Sequence, residues 1–229
     1  NGLLRGIYMA NPIHIVRDYE NKKLLYYYHA KKYIKNHYEK YADEINDDVK
    51  YGECVNENPI WIYWQQGIEN APELVQKCIK SVVEFSERPV IKLDAKSVEK
   101  YIQLPNDIRQ KYTSGKMSDA ALSDLIRFSL LEHFGGTWID ATFGLIENPA
   151  TISNWLLHSV PHNIIIKEAK NMAFAYWRNE EYVVDYLFTY MILQIAYERN
   201  VNSCGWFPYA NRDYCHQYLN VLDEPFSEK

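Results

Sequence analysis

Apolar side chains recur along this chain at two spacings, and residues 58–94 contain both. Residues 58–67 (NPIWIYWQQG) concentrate β-branched and aromatic side chains, which is typical of a buried strand followed by a loop. Residues 71–87 (APELVQKCIKSVVEFSE) follow the helical i, i+3, i+4 spacing, and residues 88–94 (RPVIKLD) predict a second strand. Strand, helix and strand within about forty residues match one right-handed crossover, so we predict an α/β fold with a mostly parallel sheet.

The alternation continues in the second half of the chain. Ser118 can cap a helix over residues 119–134, which Gly135 would end in a left-handed conformation, and residues 137–145 (TWIDATFGL) predict the next strand. Amphipathic spacing predicts further helices over residues 22–45, 164–177 and 180–200, and a loop with a short helix over residues 104–118.

Asp140 is the single acid inside the last predicted strand. Burying an unpaired carboxylate is costly, so a partner is expected. Asp124 and Arg127 are three residues apart on the preceding helix and share a face, and the two-glycine turn that follows would fold the strand back beside them. Two interpretations remain open. Either the three charged groups converge, or Asp124 and Arg127 form a local ion pair while Asp140 bonds to loop amides.

The carboxyl ends of parallel strands are where ligands collect in such folds. Gln65, Gln66 and Asp140 are all predicted at these ends. Trp138 precedes Asp140 by two residues, so it should point to the same side of the strand. An aromatic face beside a carboxylate can hold a ring next to a metal-bound group.

Composition and charge narrow the class of partner. The 229 residues are 47% hydrophobic and 24% charged, as in a globular protein with one large domain or two small ones. The net charge is −5, although residues 1–41 contain eight Lys or Arg and three Asp or Glu. Because phosphate binding needs clustered cations, the acidic main body argues against a nucleic-acid partner. The basic, aromatic segment 22–41 could contact an anionic membrane, although packing against the domain or self-association explains it more simply.

Neither a disulfide scaffold nor a zinc site is predicted. The four cysteines form no CxxC pair and have no histidine at zinc spacing, which favours a reducing compartment. His158 and His162 are four residues apart, but Pro161 between them opposes helical geometry, and no histidine is assigned to a metal. No apolar run reaches the roughly 18 residues that span a bilayer. We therefore expect a cytoplasmic protein, or one peripheral at the inner membrane face. Because the chain opens on Asn1, targeting signals can lie outside this sequence.

Two stretches resemble a known family. Residues 60–82 (IWIYWQQGIENAPELVQKCIKSV) and 122–145 (LSDLIRFSLLEHFGGTWIDATFGL) resemble the bacterial capsular polysaccharide synthesis glycosyltransferases. These are relatives of the DXD-containing sugar transferases, which include the large clostridial glucosylating toxins. The resemblance is specific from about residue 58 to 146, continues more loosely through residues 152–169 and 185–192, and gains little from residues 1–50.

The resemblance implies a GT-A, Rossmann-like fold, a nucleotide-sugar donor with uridine diphosphate as the default, Mn²⁺ or Mg²⁺, and transfer with retention of configuration. By this resemblance Asp140 takes the place of the first DXD acid, which engages the metal and the donor. Asp124 and Arg127 match a Ser-Asp-x-x-Arg element that binds the donor sugar and its diphosphate. Six further residues match or stand in donor-binding positions: Trp64, Gln65, Gly67, Trp138, Thr142 and Asn154.

This chain departs from the family pattern in two ways. Thr142 stands where the second DXD acid would be, so the diphosphate, water or another side chain must supply more of the oxygens that a hard divalent ion needs. Few residues separate the WIDAT and SNW stretches, so we expect a mobile loop near residue 150, and a C-terminal lid, to be absent from this sequence. We predict a helical segment over residues 1–50 and a glycosyltransferase domain over residues 51–229.

The expected function is transfer of a hexose from a nucleotide diphosphate sugar to a growing capsular polysaccharide or a lipid-linked oligosaccharide. Two alternatives belong to other classes of protein. One is a nucleotide or carbohydrate binder that kept the fold without turnover. The other is an assembly protein in which the charged cluster is only an internal ion network.

Overall fold

The computed structural model describes residues 19–44, 48–53, 55, 58–141 and 154–204, with side chains described from residue 25 to 203 within these ranges. The described chain is a mixed α/β structure. Its helices are α1 (Tyr19–Tyr38), α2 (Glu73–Phe85), α3 (Asn106–Thr113), α4 (Asp119–Phe134), α5 (Ile164–Asn179) and α6 (Phe188–Cys204). Its strands are β1 (Lys50–Tyr51), β2 (Ile60–Tyr63), β3 (Val90–Leu93), β4 (Ile102–Gln103), β5 (Gly136–Ile139) and β6 (Leu156–Ser159).

The central sheet has four strands in the order β3-β2-β5-β6. Strand β2 runs parallel to both β3 and β5, while β6 is antiparallel to β5 at the edge. The predicted mostly parallel sheet is therefore confirmed, with one antiparallel strand that the sequence pattern did not reveal. A separate two-stranded sheet pairs β1 with β4 in antiparallel fashion.

Alternate residues of β2 point into two different apolar layers. Trp61 and Tyr63 join a large cluster with α4, α5, α6 and α1, whereas Ile60 and Ile62 pack against α2. A strand buried on both faces needs apolar residues at every position, which explains the continuous run IWIY. The fold therefore has three layers, with the sheet between α2 and the other helices.

Predicted and observed element ends differ in three places. Strand β5 ends at Ile139, so Asp140 follows the strand rather than lying within it, and residues 142–145 of the prediction lie outside the described residues. Helix α6 begins at Phe188 rather than at residue 180. The cause is Asp185, whose carboxylate accepts the amide of Leu187 at 2.7 Å and holds a turn there. Helix α1 ends at Tyr38 and continues as a 3₁₀ turn to Tyr41.

Two consecutive glycines turn the chain from α4 into β5. Ser118 caps α4 as predicted, accepting the amide of Ala121 at 3.2 Å, and Gly135 ends the helix with φ 68° and ψ −154°. Gly136 has φ 97°, and a Cβ on it would lie 2.4 Å from the carbonyl oxygen of Pro59. Any larger residue would push β5 away from β2, so the two glycines set how closely α4 and β5 approach.

Helix α1 packs its apolar face against the rest of the molecule. Tyr27, Ala30, Ile34 and Tyr38 follow the i, i+3, i+4 spacing and belong to the same hydrophobic cluster as α5 and α6. Packing against the domain was the simpler explanation for the basic aromatic segment 22–41, and this face of α1 packs in that way. In the described part of the chain, no helix combines the length and the apolarity needed to cross a membrane.

A buried ion pair joins two helices of the large layer. Lys170 of α5 lies 2.9 Å from Oε2 of Glu132 on α4, and both side chains are under 10% exposed. The Lys170 ammonium also donates to the hydroxyl of Tyr51 at 3.0 Å. Burial acts to raise the pKa of Glu132, but the bond from Lys170 and the nearby His162 hold it below its ordinary value of 4.5. The ionised pair therefore contributes stability above pH 4.5 that is lost as the pH falls below it.

We expect Glu132→Gln to destabilise the protein by about 3 kcal/mol at pH 7, because Lys170 would then be buried without its counter-charge. The difference from wild type should shrink as the pH falls below 4.5, where Glu132 becomes protonated. Urea denaturation between pH 3 and pH 7 measures both effects. Glu73→Gln is the matched control, since Glu73 pairs with Lys77 on the surface of α2 and should change stability by less than about 0.5 kcal/mol. Equal effects of the two variants would contradict the assignment.

Candidate functional site

Arg127 is the centre of the candidate site. Its side chain is 3% exposed and extends from α4 between two carboxylates. The Nη2 atom lies 2.6 Å from Oδ1 of Asp140, and the Nη1 atom lies 3.0 Å from Oδ1 of Asp124. The convergence of the three charged groups is thus confirmed. The alternative, in which Asp140 bonds only to loop amides, is wrong for this structure.

Asp140 is held by two donors on the same oxygen. Its Oδ1 accepts both the Arg127 guanidinium and the indole N–H of Trp138, each at 2.6 Å. Its backbone amide donates to the carbonyl of Trp155 at 2.9 Å, which fixes the residue against the chain entering β6. The side chain is 28% exposed, and Oδ2 makes no hydrogen bond to the residues that the structure describes. One carboxylate oxygen is therefore fixed by the protein while the other can meet a ligand.

Asp124 is more deeply engaged with the protein. Its side chain is 21% exposed, one oxygen faces Arg127, and the other accepts the hydroxyl of Thr189 on α6. Desolvation raises the pKa of Asp124; Arg127 and the Thr189 hydroxyl act against this rise, and Asp140 adds to it. Both oxygens of Asp124 thus have protein partners, which suits it to orient Arg127 as well as to meet a substrate hydroxyl.

Trp138 lies beneath Asp140. It points to the same side as Asp140, as the strand periodicity predicts, but it is only 1% exposed. Its ring also lies 5.0 Å from the Arg127 guanidinium carbon, within the range of a cation–π contact. The resemblance places an aromatic beside the donor. In this packing the Trp138 ring is buried and contacts Asp140 and Arg127.

The loop after β2 lies at the same edge of the sheet. Trp64 is half-buried against the α2 layer, and its amide donates to Leu93 of β3 at 2.9 Å. The amide of Gly67 donates to the Trp64 carbonyl at 3.0 Å, which closes the turn. Strand β2 pairs with β5 in parallel, so this loop and Asp140 follow neighbouring parallel strands. The arrangement matches the predicted location of a ligand site.

Gln65 and Gln66 connect this loop to α3 and α4 through side-chain hydrogen bonds. Gln65 donates to the hydroxyl of Tyr112 at 2.7 Å, and Tyr112 in turn donates to Asp119 at 2.7 Å. Gln66 donates to the other oxygen of Asp119 at 3.2 Å. This network anchors the loop to α3 and to the first turn of α4.

Of the last two predicted donor-binding residues, Asn154 lies within the described residues and Thr142 does not. Asn154 is 7% exposed and lies two residues before Leu156, which pairs with Ile139. It therefore lies just before β6, next to Trp155, whose carbonyl accepts the backbone amide of Asp140. Thr142, predicted in place of the second DXD acid, lies outside the described residues.

Thr189, Tyr112 and Asp119 are site residues that were missed from the sequence. Thr189 is 2% exposed within the apolar run FTYMILQIA, so the reasoning that singled out Asp140 could have found it. Asp119 occupies the first turn of α4, where an acid is expected for helix stability alone. Tyr112 carries no comparable signal, because it is one of 20 tyrosines in the chain.

The guanidinium of Arg127 retains unused donor capacity. Its Nε and Nη1 atoms are buried and make no hydrogen bond within the described part of the chain, although Nη1 is close enough to Asp124 for an ion pair. Buried N–H groups without acceptors cost free energy. The guanidinium therefore keeps donor capacity that its two carboxylate partners do not use.

The side chains present permit one kind of metal site. Among the described residues, no three His, Cys, Asp or Glu side chains cluster as a metal-binding group. Asp140 has one carboxylate oxygen, Oδ2, that is not hydrogen-bonded to the described residues and could bind an ion. Mg²⁺ commonly binds through one or two carboxylates together with substrate phosphates and water, and the site fits an ion held in that way.

The fold and the site together define an α/β protein in which a buried arginine and a carboxylate of α4 meet a second carboxylate at the carboxyl end of the parallel strand β5. The chain matches the model of the capsular polysaccharide synthesis protein family in two stretches, residues 12–148 and 144–229. It therefore belongs to that family. The division between the stretches falls where the sequence led us to expect a further loop. No curated protein and no solved structure matches the chain significantly.

We expect Thr189→Val to destabilise the protein by about 2 kcal/mol at pH 7, because the similar shape of valine leaves the Asp124 carboxylate without a donor. The loss should be smaller in acid, where Asp124 is protonated, since the hydroxyl stabilises the ionised form. Thermal melting at both pH values tests this. Thr113→Val, which removes an exposed hydroxyl on α3, should cost less than about 0.5 kcal/mol. A pH-independent loss would show that Thr189 acts through packing alone.

Proposed function

We propose that this protein is a retaining glycosyltransferase of GT-A type that moves a hexose from a nucleotide diphosphate sugar, with uridine diphosphate as the carrier, to a capsular polysaccharide or lipid-linked oligosaccharide. Membership of a capsular polysaccharide synthesis family supports a role in building saccharides. The three-layer α/β fold, with the loop after β2 beside Asp140, supports a nucleotide-sugar site.

The observation that carries this proposal is the buried Arg127 with its unused N–H groups between two partly exposed carboxylates. A salt bridge with a purely structural role would be expected to satisfy the guanidinium fully. Here Nη2 of the guanidinium has an acceptor in Asp140, whereas Nε and Nη1 have no hydrogen-bond acceptor among the described residues. Diphosphate and sugar hydroxyls together have the complementary groups.

The transfer breaks the bond between the anomeric carbon and the leaving phosphate oxygen, which departs with the electron pair. The acceptor hydroxyl oxygen forms the new bond on the same face of the sugar, and its proton passes to the leaving phosphate. Arg127 stabilises the negative charge that grows on the diphosphate. Asp124 and Asp140 orient the donor, so that the anomeric carbon is presented to the acceptor. No residue of the site is assigned a covalent role.

A divalent ion would be held by the outward oxygen of Asp140, and Mn²⁺ or Mg²⁺ there would supply Lewis-acid stabilisation of the diphosphate. The residues named above act on the donor independently of that contribution. Trp138 supports both groups, because it contacts Asp140 and Arg127 at once.

The second candidate is a nucleotide-sugar binder without turnover. It is favoured by Thr142, which lacks the carboxylate of the second DXD position. Such a protein would bind the donor yet release no nucleotide, so measuring nucleotide release alongside binding separates the two.

The acceptor side includes a proposed membrane contact through residues 22–41. The apolar face of α1 is used in packing, and Lys31 pairs with Glu198 of α6 at 2.5 Å. A membrane contact would therefore rely on the outward residues of α1, including Tyr28 at 58% exposure. Binding to phosphatidylglycerol vesicles that persists unchanged after these residues are replaced would contradict it.

Thermal melting with a panel of uridine diphosphate sugars tests the proposal directly. With Mn²⁺ and donor at about one hundred times its dissociation constant, the folded state should gain about 2.7 kcal/mol. Asp140→Asn should abolish this gain, because it removes the charge that faces the ion and Arg127. Asp107→Asn, a change at an exposed surface pair on α3, should leave the gain intact. Absence of any shift with folded wild-type protein would overturn the proposal.

Trp138→Phe should weaken donor binding about tenfold, equivalent to about 1.4 kcal/mol, since Asp140 loses one of its two donors. Trp61→Phe is a close control, because Trp61 is the register partner of Trp138 on β2 and is equally buried. The Trp61 indole donates to the backbone of Gly135 at 2.9 Å instead. Calorimetric titration should show the affinity loss for Trp138→Phe alone, and equal losses would contradict the role of the indole N–H.

A further inference from the structure

The segment between α5 and α6, residues 180–187, is pinned to the protein while two of its tyrosines face outward. Tyr182 is 65% exposed and Tyr186 is 75% exposed. The side chains of Val184 and Leu187 are buried, at 4% and 6% exposure. Because the buried side chains of Val184 and Leu187 anchor the segment, the rings of Tyr182 and Tyr186 are held in exposed positions.

Backbone contacts hold the same segment in place. The hydroxyl of Tyr176 donates to the carbonyl of Tyr182, and the hydroxyl of Tyr26 donates to the carbonyl of Val184, both at 2.8 Å. These bonds do not involve the side chains of Tyr182 or Tyr186. Tyrosine is enriched at binding surfaces, because its side chain combines an apolar ring with a polar hydroxyl.

Both ends of the segment reach the candidate donor site. At its start, Glu181 pairs with Lys116, which is two residues before the cap of α4. At its end, Thr189 donates to Asp124 and lies three residues after Tyr186. Three residues span at most about 11 Å, so Tyr186 is close to the carboxylates at the edge of the sheet.

We propose that Tyr182 and Tyr186 form a stacking surface for the acceptor saccharide. A tyrosine offers a flat apolar face to the C–H side of a sugar ring, together with a hydroxyl that can bond to sugar oxygens. The segment that carries these rings leads into Thr189, which donates to Asp124 of the proposed donor site. This inference rests on the proposed function for its choice of ligand, since the acceptor of that reaction must approach from beside the donor sugar.

The charges near the two rings favour a neutral saccharide over an anionic membrane. Glu181 and Asp185 belong to the same segment, and Asp124 lies beyond Thr189. Acidic groups accept hydrogen bonds from sugar hydroxyls but repel anionic headgroups. The two described lysines that contact this segment are already engaged, because Lys116 pairs with Glu181 and Lys111 donates to the carbonyl of Glu180 at 2.6 Å.

Saturation-transfer NMR with cellotetraose and maltotetraose, irradiating the aromatic protons, tests the surface without needing the true acceptor. Wild-type protein should transfer saturation to at least one tetrasaccharide. The double variant Tyr182→Ala/Tyr186→Ala should reduce the signal at least fivefold, whereas Tyr182→Phe/Tyr186→Phe should retain most of it. Tyr28→Ala removes a tyrosine of similar exposure on α1 and should leave the signal unchanged.

An unchanged signal in the double alanine variant, or no signal from wild type with either saccharide, would overturn the inference. If the double variant fails to fold by circular dichroism, Tyr186→Ala alone replaces it, with a twofold or greater loss expected. Sedimentation with phosphatidylglycerol vesicles is run in parallel. Vesicle binding that disappears in the double variant, with no saccharide signal, would assign the tyrosines to a membrane surface instead.

Donor melting separates this inference from the proposed function. The double alanine variant should keep the full stabilisation by a uridine diphosphate sugar with Mn²⁺. A wild-type protein that binds donor but no saccharide would defeat the stacking surface alone. One that binds saccharide but no donor would defeat the proposed function and leave a saccharide-binding surface.

Discussion

The position of one buried guanidinium governs the rest of the site. Arg127 can be buried only because Asp124 and Asp140 approach it, and each carboxylate depends on a further partner, Thr189 for the first and Trp138 for the second. Four elements, α4, α6, β5 and the turn after it, are thereby fixed relative to one another by charge as well as by packing. A ligand that meets the unused N–H groups would draw on a site that folding has already organised.

The close approach of α4 to β5 depends on a short-range constraint. Gly135 and Gly136 leave no room for a Cβ against Pro161 and Pro59, so the strand returns tightly beside the helix that precedes it. This brings a residue thirteen positions along the chain within hydrogen-bonding distance of Arg127. On the far side of α4, the buried pair of Glu132 and Lys170 fixes the same helix against α5. The helix that carries the site is therefore fixed against both β5 and α5.

Membership of the capsular polysaccharide synthesis family and the site geometry bear on different questions. The family relates the chain to the building of surface saccharides, while the geometry concerns which groups could bind a donor and an acceptor. The loop after β2, Arg127 and the carboxylates lie on the donor side. The proposed acceptor residues, Tyr182 and Tyr186, belong to the segment that precedes Thr189, the partner of Asp124.

Local patterns in the sequence determined the helices, the three parallel strands and the class of fold, but not β1, β4 or β6. The IWIY run, the cap at Ser118 and the glycine pair each act over a few neighbouring residues. Local patterns also identified Asp124, Arg127 and Asp140, since charged residues in apolar surroundings need partners. The tertiary structure alone decided that Trp138 lies under Asp140, that Thr189 reaches Asp124 across 65 residues, and that β6 runs antiparallel. These depend on packing between distant segments, which no local pattern encodes.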